Sequence, residues 1–111
     1  MIRIDAVWLA VDALDMRAGP DTTLARVVRV FGSARPHHAY LFSNRRANRL
    51  KVLVHDGFGI WLCARRLHQG GFVPASAHAT ANIAITREQL RALVVGLPWQ
   101  RVGDQATIHV M

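Results

Sequence analysis

Six basic residues carry the strongest chemical signal in the chain: Arg45, Arg46, Arg49 and Lys51, then Arg65 and Arg66. Guanidinium groups are planar, bidentate donors that suit phosphate oxygens and base edges. Each phosphate they neutralise releases counterions, so binding through such a cluster is salt-dependent. The same charges could instead form a soluble edge that discourages strand-to-strand aggregation. No acidic residue interrupts either run, which favours nucleic acid. Asn44 and Asn48 flank the first arginines and are candidate readers of base edges, although asparagine also simply suits turns.

Other chemistry is weaker. A nuclease that holds two metal ions needs converging carboxylates. Here Asp56 reads as a turn residue, Asp21 and Glu88 as helix starts, and Asp5 and Asp12 as opposite ends of one short strand. His37 and His38 are adjacent, which is not the spacing of a two-ligand metal site, and no second cysteine supports one. Cys63 alternates with apolar neighbours and is expected to be a buried, inert thiol near Leu50. Trp8 and Trp61 could stack on bases, but at sheet positions they are expected in the core. Asp15-Met16-Arg17 sits in a loop. It is either a secondary contact with DNA or a partner, or an internal Asp–Arg pair that positions the next helix. The reading is a non-enzymatic protein with no metal and no cofactor.

Composition agrees. The 111 residues carry a formal charge of +7 with a pI near 11.5. The basic residues are 13 Arg and 1 Lys, a bias that suits phosphate recognition and also suits a high-GC genome. At 51% hydrophobic the chain is not a disordered one. Its length favours a single domain over residues 1–111. One cysteine allows no intramolecular disulfide and fits a reducing cytoplasm. Arg3 and Asp5 interrupt the N-terminus before a signal peptide can develop, and no apolar run reaches the roughly 18 residues of a membrane span. A cytoplasmic protein is expected.

The elements that must position the cluster centre on a β-hairpin. Residues 49–55 and 58–64 are apolar runs on either side of Asp56-Gly57, a strong hairpin signal because both turn positions favour φ > 0. A two-residue turn sets His55 against Phe58, Leu53 against Ile60 and Leu50 against Cys63. Away from the turn the apolar pairs give way to charge, so the hairpin gathers both basic runs at one end of a sheet. Residues 4–11 read as a first strand. Pro20, Asp21 and the spacing of Leu24, Val27, Val28 and Phe31 predict a helix over 20–31 that stops at Gly32. Residues 40–43 form a second strand, and 44–48 a polar loop. Residues 68–81 are loop, and 82–85 a short strand. Thr86 and Gln89 form a capping box for a second helix that ends at Gly96-Leu97-Pro98. Trp99 is expected to fold back on the core, and residues 100–111 read as a tail or an edge strand. The sum is α+β: a mainly antiparallel sheet of four or five strands with two packed helices. No βαβ rhythm or glycine-rich phosphate loop is evident, which argues against a nucleotide-binding α/β fold.

The pattern LFxNRRxNRLKVLxxDGxGxWLxxRRLxxGxF resembles the TnpB-type accessory protein encoded by the second open reading frame of insertion-sequence-66 transposons. Asp15-Met16-Arg17 followed by Gly19 looks like that family's DMRKG element. The likeness runs from about residue 7 to residue 96, and the chain departs from it at Arg35-Pro36-His37-His38, where the family has an acidic-proline turn. The resemblance implies a role in DNA transposition, with the transposase and another accessory protein of the same element as partners and strand chemistry left to the transposase. It leaves two readings open: a DNA-binding accessory protein, or an adaptor that joins the transposase to other subunits and has little DNA affinity of its own.

Overall fold

The computed structural model describes residues 3–75 and 81–102. The elements are β1 (Ala6–Leu9), α1 (Pro20–Phe31), β2 (His38–Ser43), β3 (Arg49–His55), β4 (Ile60–Arg66), β5 (Ile83–Ile85) and α2 (Arg87–Val94), followed by a 3-10 turn at Trp99–Arg101. The strands form one five-stranded sheet in the order β4-β3-β2-β1-β5. The fold is α+β, as the sequence reading expects. The predicted loop and tail fall partly outside the described residues, at 76–80 and 103–111. Among the described residues no helix is long and apolar enough to cross a membrane.

One pairing departs from expectation. β1 and β2 run parallel, with Ala6 opposite His38 and Leu9 opposite Leu41. Parallel neighbours cannot be joined by a tight turn, so the chain crosses over through α1. A single βαβ unit therefore exists, contrary to the sequence reading. β1 has only four residues, too few to show a rhythm. The remaining pairs are antiparallel.

α1 starts with Pro20 at its first turn and ends at Gly32, whose φ of 89° is the left-handed conformation that glycine adopts freely. Thr23 and Val27 are buried, and Leu24 and Phe31 pack beside them. Val28, expected on this face, is 46% exposed. The helix contacts the sheet along a narrow seam, and Val28 lies off it. α2 carries the predicted capping box: the Gln89 amide donates to Thr86 Oγ1 at 3.0 Å, and the Thr86 amide to Gln89 Oε1 at 2.8 Å.

Period-two alternation gives the sheet two apolar faces. Tyr40, Phe42 and Leu53 face α1, together with Trp8, Ile60 and Leu62. Val7, Leu9, Leu41, Leu50 and Val54 face the other way, against Leu93, Phe72 and Trp99. Trp99 is 2% exposed and donates from Nε1 to the Val73 carbonyl at 2.6 Å, so it does return to the core.

The hairpin register differs from the two-residue assumption. His55 pairs with Ile60, Leu53 with Leu62 and Leu50 with Arg65. The turn spans four residues, 56–59, because Asp56 Oδ1 accepts from the amides of both Phe58 and Gly59, at 2.8 and 2.9 Å. Asp56 Oδ2 accepts from Trp61 Nε1 at 2.7 Å. These three bonds hold the Asp56 carboxyl below its usual range, the Phe58 amide foremost. A shift of two residues leaves each side chain on its predicted face but moves Cys63 from Leu50 to Val52. Cys63 is exposed rather than buried, and Trp61 is 50% exposed rather than core. Both lie on β4, the sheet edge, past the cover of α2.

Candidate nucleic-acid interface

The link between β2 and β3 holds Arg45 and Arg46 outward. The Ala47 amide donates to the Asn44 carbonyl at 3.0 Å, which closes a four-residue turn with the two arginines in its middle. Asn44 Oδ1 accepts from the amides of Asn48 and Arg49, at 3.0 and 3.1 Å, and Asn44 Nδ2 donates to Asn48 Oδ1 at 2.6 Å. The Asn44 side chain is thus engaged within the turn. Ala47 has a φ of 54°, a conformation rare outside glycine, which this network over-determines. The turn is also backed from behind: the Phe72 amide donates to the Ala47 carbonyl at 2.5 Å. A Cβ at Gly71 would lie 2.7 Å from that carbonyl oxygen, so the close approach requires glycine.

β3 and β4 bring the other basic residues to the same end. Arg49 lies opposite Arg66, and Lys51 opposite Ala64. These residues share the face that α1 covers farther along the sheet. Arg65, one residue away, belongs to the other face, where its Nε donates to the Val94 carbonyl at 2.6 Å. It serves there as a cationic cap on the last turn of α2. Lys51 Nζ donates to the Ala18 carbonyl at 2.5 Å.

That last bond shows what lies over the basic end. The β1–α1 connection folds across it, fixed by the Leu14 amide on the Ser43 carbonyl (2.9 Å) and by Arg26 on the Ala13 carbonyl (3.2 Å). Between this connection and the arginine turn lies an open cavity of about 480 Å³, lined by Asp15, Met16, Arg45, Arg46 and Arg49 among others. A second hollow of about 280 Å³ continues past Met16 and Arg49 to Lys51, Arg65 and Arg66. Asp15 and Met16 and the basic cluster, some 30 residues apart in sequence, therefore form opposite walls of one groove, while Arg17 lies outside its lining. The sequence marks both walls but carries no signal that they meet. Met16, Ala13 and Leu14 line the groove without having been singled out as site residues.

The electrostatics are one-sided. Among the described residues the ion pairs are Arg3–Asp5 and Arg17–Asp15, and no carboxylate pairs with Arg45, Arg46, Arg49 or Arg66. Arg17 makes an internal fork with Asp15, NH2 to Oδ2 at 2.8 Å and Nε to Oδ1 at 3.2 Å, while its amide donates to Oδ1 at 2.9 Å. The Arg17 guanidinium, then the Arg17 amide, holds the Asp15 carboxyl down to about 2, and Asp15 raises the Arg17 guanidinium in turn. A depressed carboxyl contributes above its unfolded value and loses that contribution as pH falls through its folded one. The pair is therefore intact at neutral pH and lost only in strong acid. An NMR titration should place the Asp15 midpoint near pH 2, and Arg17→Ala should raise it toward the ordinary carboxylate range, short of a full return because the residue 17 amide still donates. An unchanged midpoint in that variant would remove Arg17 as the cause.

Among the described residues no group of three His, Cys, Asp or Glu is placed to hold a metal ion. His38 accepts from Trp8 Nε1 at 3.0 Å through its Nδ1 and stacks on that ring.

Residues 5–104 match a family model described as IS66 Orf2 like protein. The chain is 37% identical over 95 residues to an uncharacterized protein, y4hO, of Sinorhizobium fredii (strain NBRC 101917 / NGR234). That alignment covers 85% of this chain and 82% of the other. No solved structure matches.

Proposed function

Because the chain belongs to the IS66 Orf2 like family of transposon accessory proteins, we propose that it serves transposition by binding DNA, or the transposase–DNA complex, through the basic end of its sheet. The observation that carries this reading is the convergence of Arg45, Arg46, Arg49 and Arg66 on one groove with no carboxylate partner among the described residues. Four guanidinium groups on a hydrogen-bonded frame meet successive phosphates without first breaking internal ion pairs. Lys51 adds positive potential from its tether on Ala18, and Arg65 does so from the neighbouring face. Asp15, on the opposite wall, holds the Arg17 guanidinium as a secondary contact beside the groove. Asn44 holds the turn, and Asn48 sits beside it as a secondary contact. Specificity then rests more on backbone geometry than on base edges. The protein acts in the cytoplasm as a single domain without metal or cofactor, and the transposase supplies the strand chemistry.

Fluorescence anisotropy with a labelled transposon-end duplex and a scrambled duplex, at low and moderate salt, tests this. With four to six phosphates engaged, the logarithm of affinity should fall against that of salt with a slope of about −4 to −5. Preference for the end sequence would make the protein a site-specific accessory factor, and equal binding would make it a backbone clamp. Absence of salt-sensitive binding to either duplex would leave the adaptor role, in which the basic groove meets an acidic surface of the transposase.

A further inference from the structure

The opposite end of the β3–β4 hairpin carries a feature that phosphate binding does not use. Phe58 sits at the tip of the turn with its side chain fully exposed, at 102% of the reference area. The tip is stiff: Asp56 fixes the amides of Phe58 and Gly59 and the Trp61 indole. A rigid, solvated phenyl ring contributes nothing to the fold but is pre-organised for insertion elsewhere.

The same end of the molecule carries a matching hollow. Trp8, Phe31, Ser33, Arg35 and Tyr40 line a cavity of about 110 Å³, comparable with the ~150 Å³ apolar cavities that take up benzene. Its rings already stand at tilted angles, Trp8 to Phe31 at 6.1 Å and Phe31 to Tyr40 at 5.0 Å, an arrangement that accepts another edge. Knob and hole are neighbours. His37, two residues beyond Arg35, donates its amide to the His55 carbonyl at 2.6 Å, and its ring lies 3.6 Å from a Cβ placed at Gly57. Charge is complementary as well. Exposed Arg35 stands at the rim with no ion-pair partner among the described residues, and the Asp56 carboxylate lies two residues from Phe58.

We propose that two copies of this chain pair about a two-fold axis, each placing Phe58 in the Trp8–Phe31–Tyr40 pocket of the other with Asp56 facing Arg35. A knob and a hole at one end of a molecule suit such an isologous contact, because one axis satisfies both at once. The two basic grooves are then left at the far ends of the dimer, free to hold two DNA segments. The pairing itself does not depend on the DNA reading.

Sedimentation velocity of the nuclease-treated full chain at moderate salt is the test, with Phe58→Ser and Arg35→Glu beside the wild type. The wild type should show a concentration-dependent dimer. Phe58→Ser should raise the dissociation constant about 100-fold or more, at least tenfold for each ring lost, with a melting temperature equal to that of the wild type at concentrations where both are monomeric. Arg35→Glu should weaken pairing by placing like charges together. A photo-crosslinking benzoyl-phenylalanine at position 58 should yield a dimer-sized product mapped to the segments around Trp8, Phe31 or Tyr40. A wild type that stays monomeric, a dimer indifferent to Phe58→Ser, or crosslinks that map elsewhere would each overturn the proposal.

Discussion

Replacing Arg45, Arg46 and Arg49 together with alanine is expected to abolish measurable DNA binding at moderate salt while the fold stays intact. The loss follows from the number of phosphates involved. Each contact removed should lower the salt slope by about 0.9, so three should lower it by about 3, leaving only Arg66, Lys51 and Arg65 near the groove. The intact fold follows from the geometry. Arg45, Arg46 and Arg49 are exposed, and their guanidinium groups make no hydrogen bond or ion pair with a described residue. Surface changes of that kind alter stability by roughly 0.5 kcal/mol or less. The turn itself is held by the Asn44 side chain and by Phe72, neither of which is altered. Lysine at the same three positions keeps the charge but loses the bidentate fork, so it should restore part of the affinity and most of the slope. The measurements are anisotropy across a salt series and thermal unfolding of each variant. Wild-type affinity in the alanine variant would remove the basic groove as the DNA site.

What the sequence reveals of this arrangement depends on how local the cause is. α1 falls at residues 20–31 as expected because proline, the apolar spacing and Gly32 all act within the helix. The capping box of α2 is equally local. The hairpin is legible too, but its length is not. Whether Asp-Gly closes a two-residue or a four-residue turn depends on a carboxylate capturing two later amides, and an Asp-Gly pair permits either. Burial on β4 is less legible still. Cys63 and Trp61 alternate like core residues, yet exposure is decided by where α2 stops, which is a fact about the edge of the sheet. The parallel β1–β2 pair and the groove are the least local features. Nothing near Asp15 or Arg45 announces that the chain crosses back through α1 and lays residues 13–18 over the arginine turn. That contact is sealed by backbone carbonyls, at Ala13, Ala18 and Ser43, which every residue possesses and no motif records.

The groove's rigidity leads to the largest expected effect on stability, from a residue outside the proposed DNA site. Trp99→Ala should destabilise the protein by about 3–5 kcal/mol, the usual cost of emptying a large buried site. A chain of this size holds about 6–16 kcal/mol in all, so the variant should unfold at a much lower denaturant midpoint. Trp99 lies against the cluster that contains Leu93 of α2 and Phe72, and its indole binds the Val73 carbonyl. Phe72 is the residue whose amide holds Ala47, and through Ala47 the strained turn that presents Arg45 and Arg46. Truncating Trp99 therefore also releases the backing of that turn. Trp99→Phe separates the two effects: it keeps most of the buried ring and leaves the Val73 carbonyl without its indole partner, for about 1–3 kcal/mol. DNA affinity under native conditions should fall in Trp99→Ala, with the salt slope nearly unchanged because every arginine remains. That is the reverse of the triple-arginine pattern, in which slope and affinity fall while stability does not. Chemical unfolding and salt-dependent anisotropy on the same preparations distinguish the two. A Trp99→Ala protein of near-wild-type stability would show that the core can close without the indole.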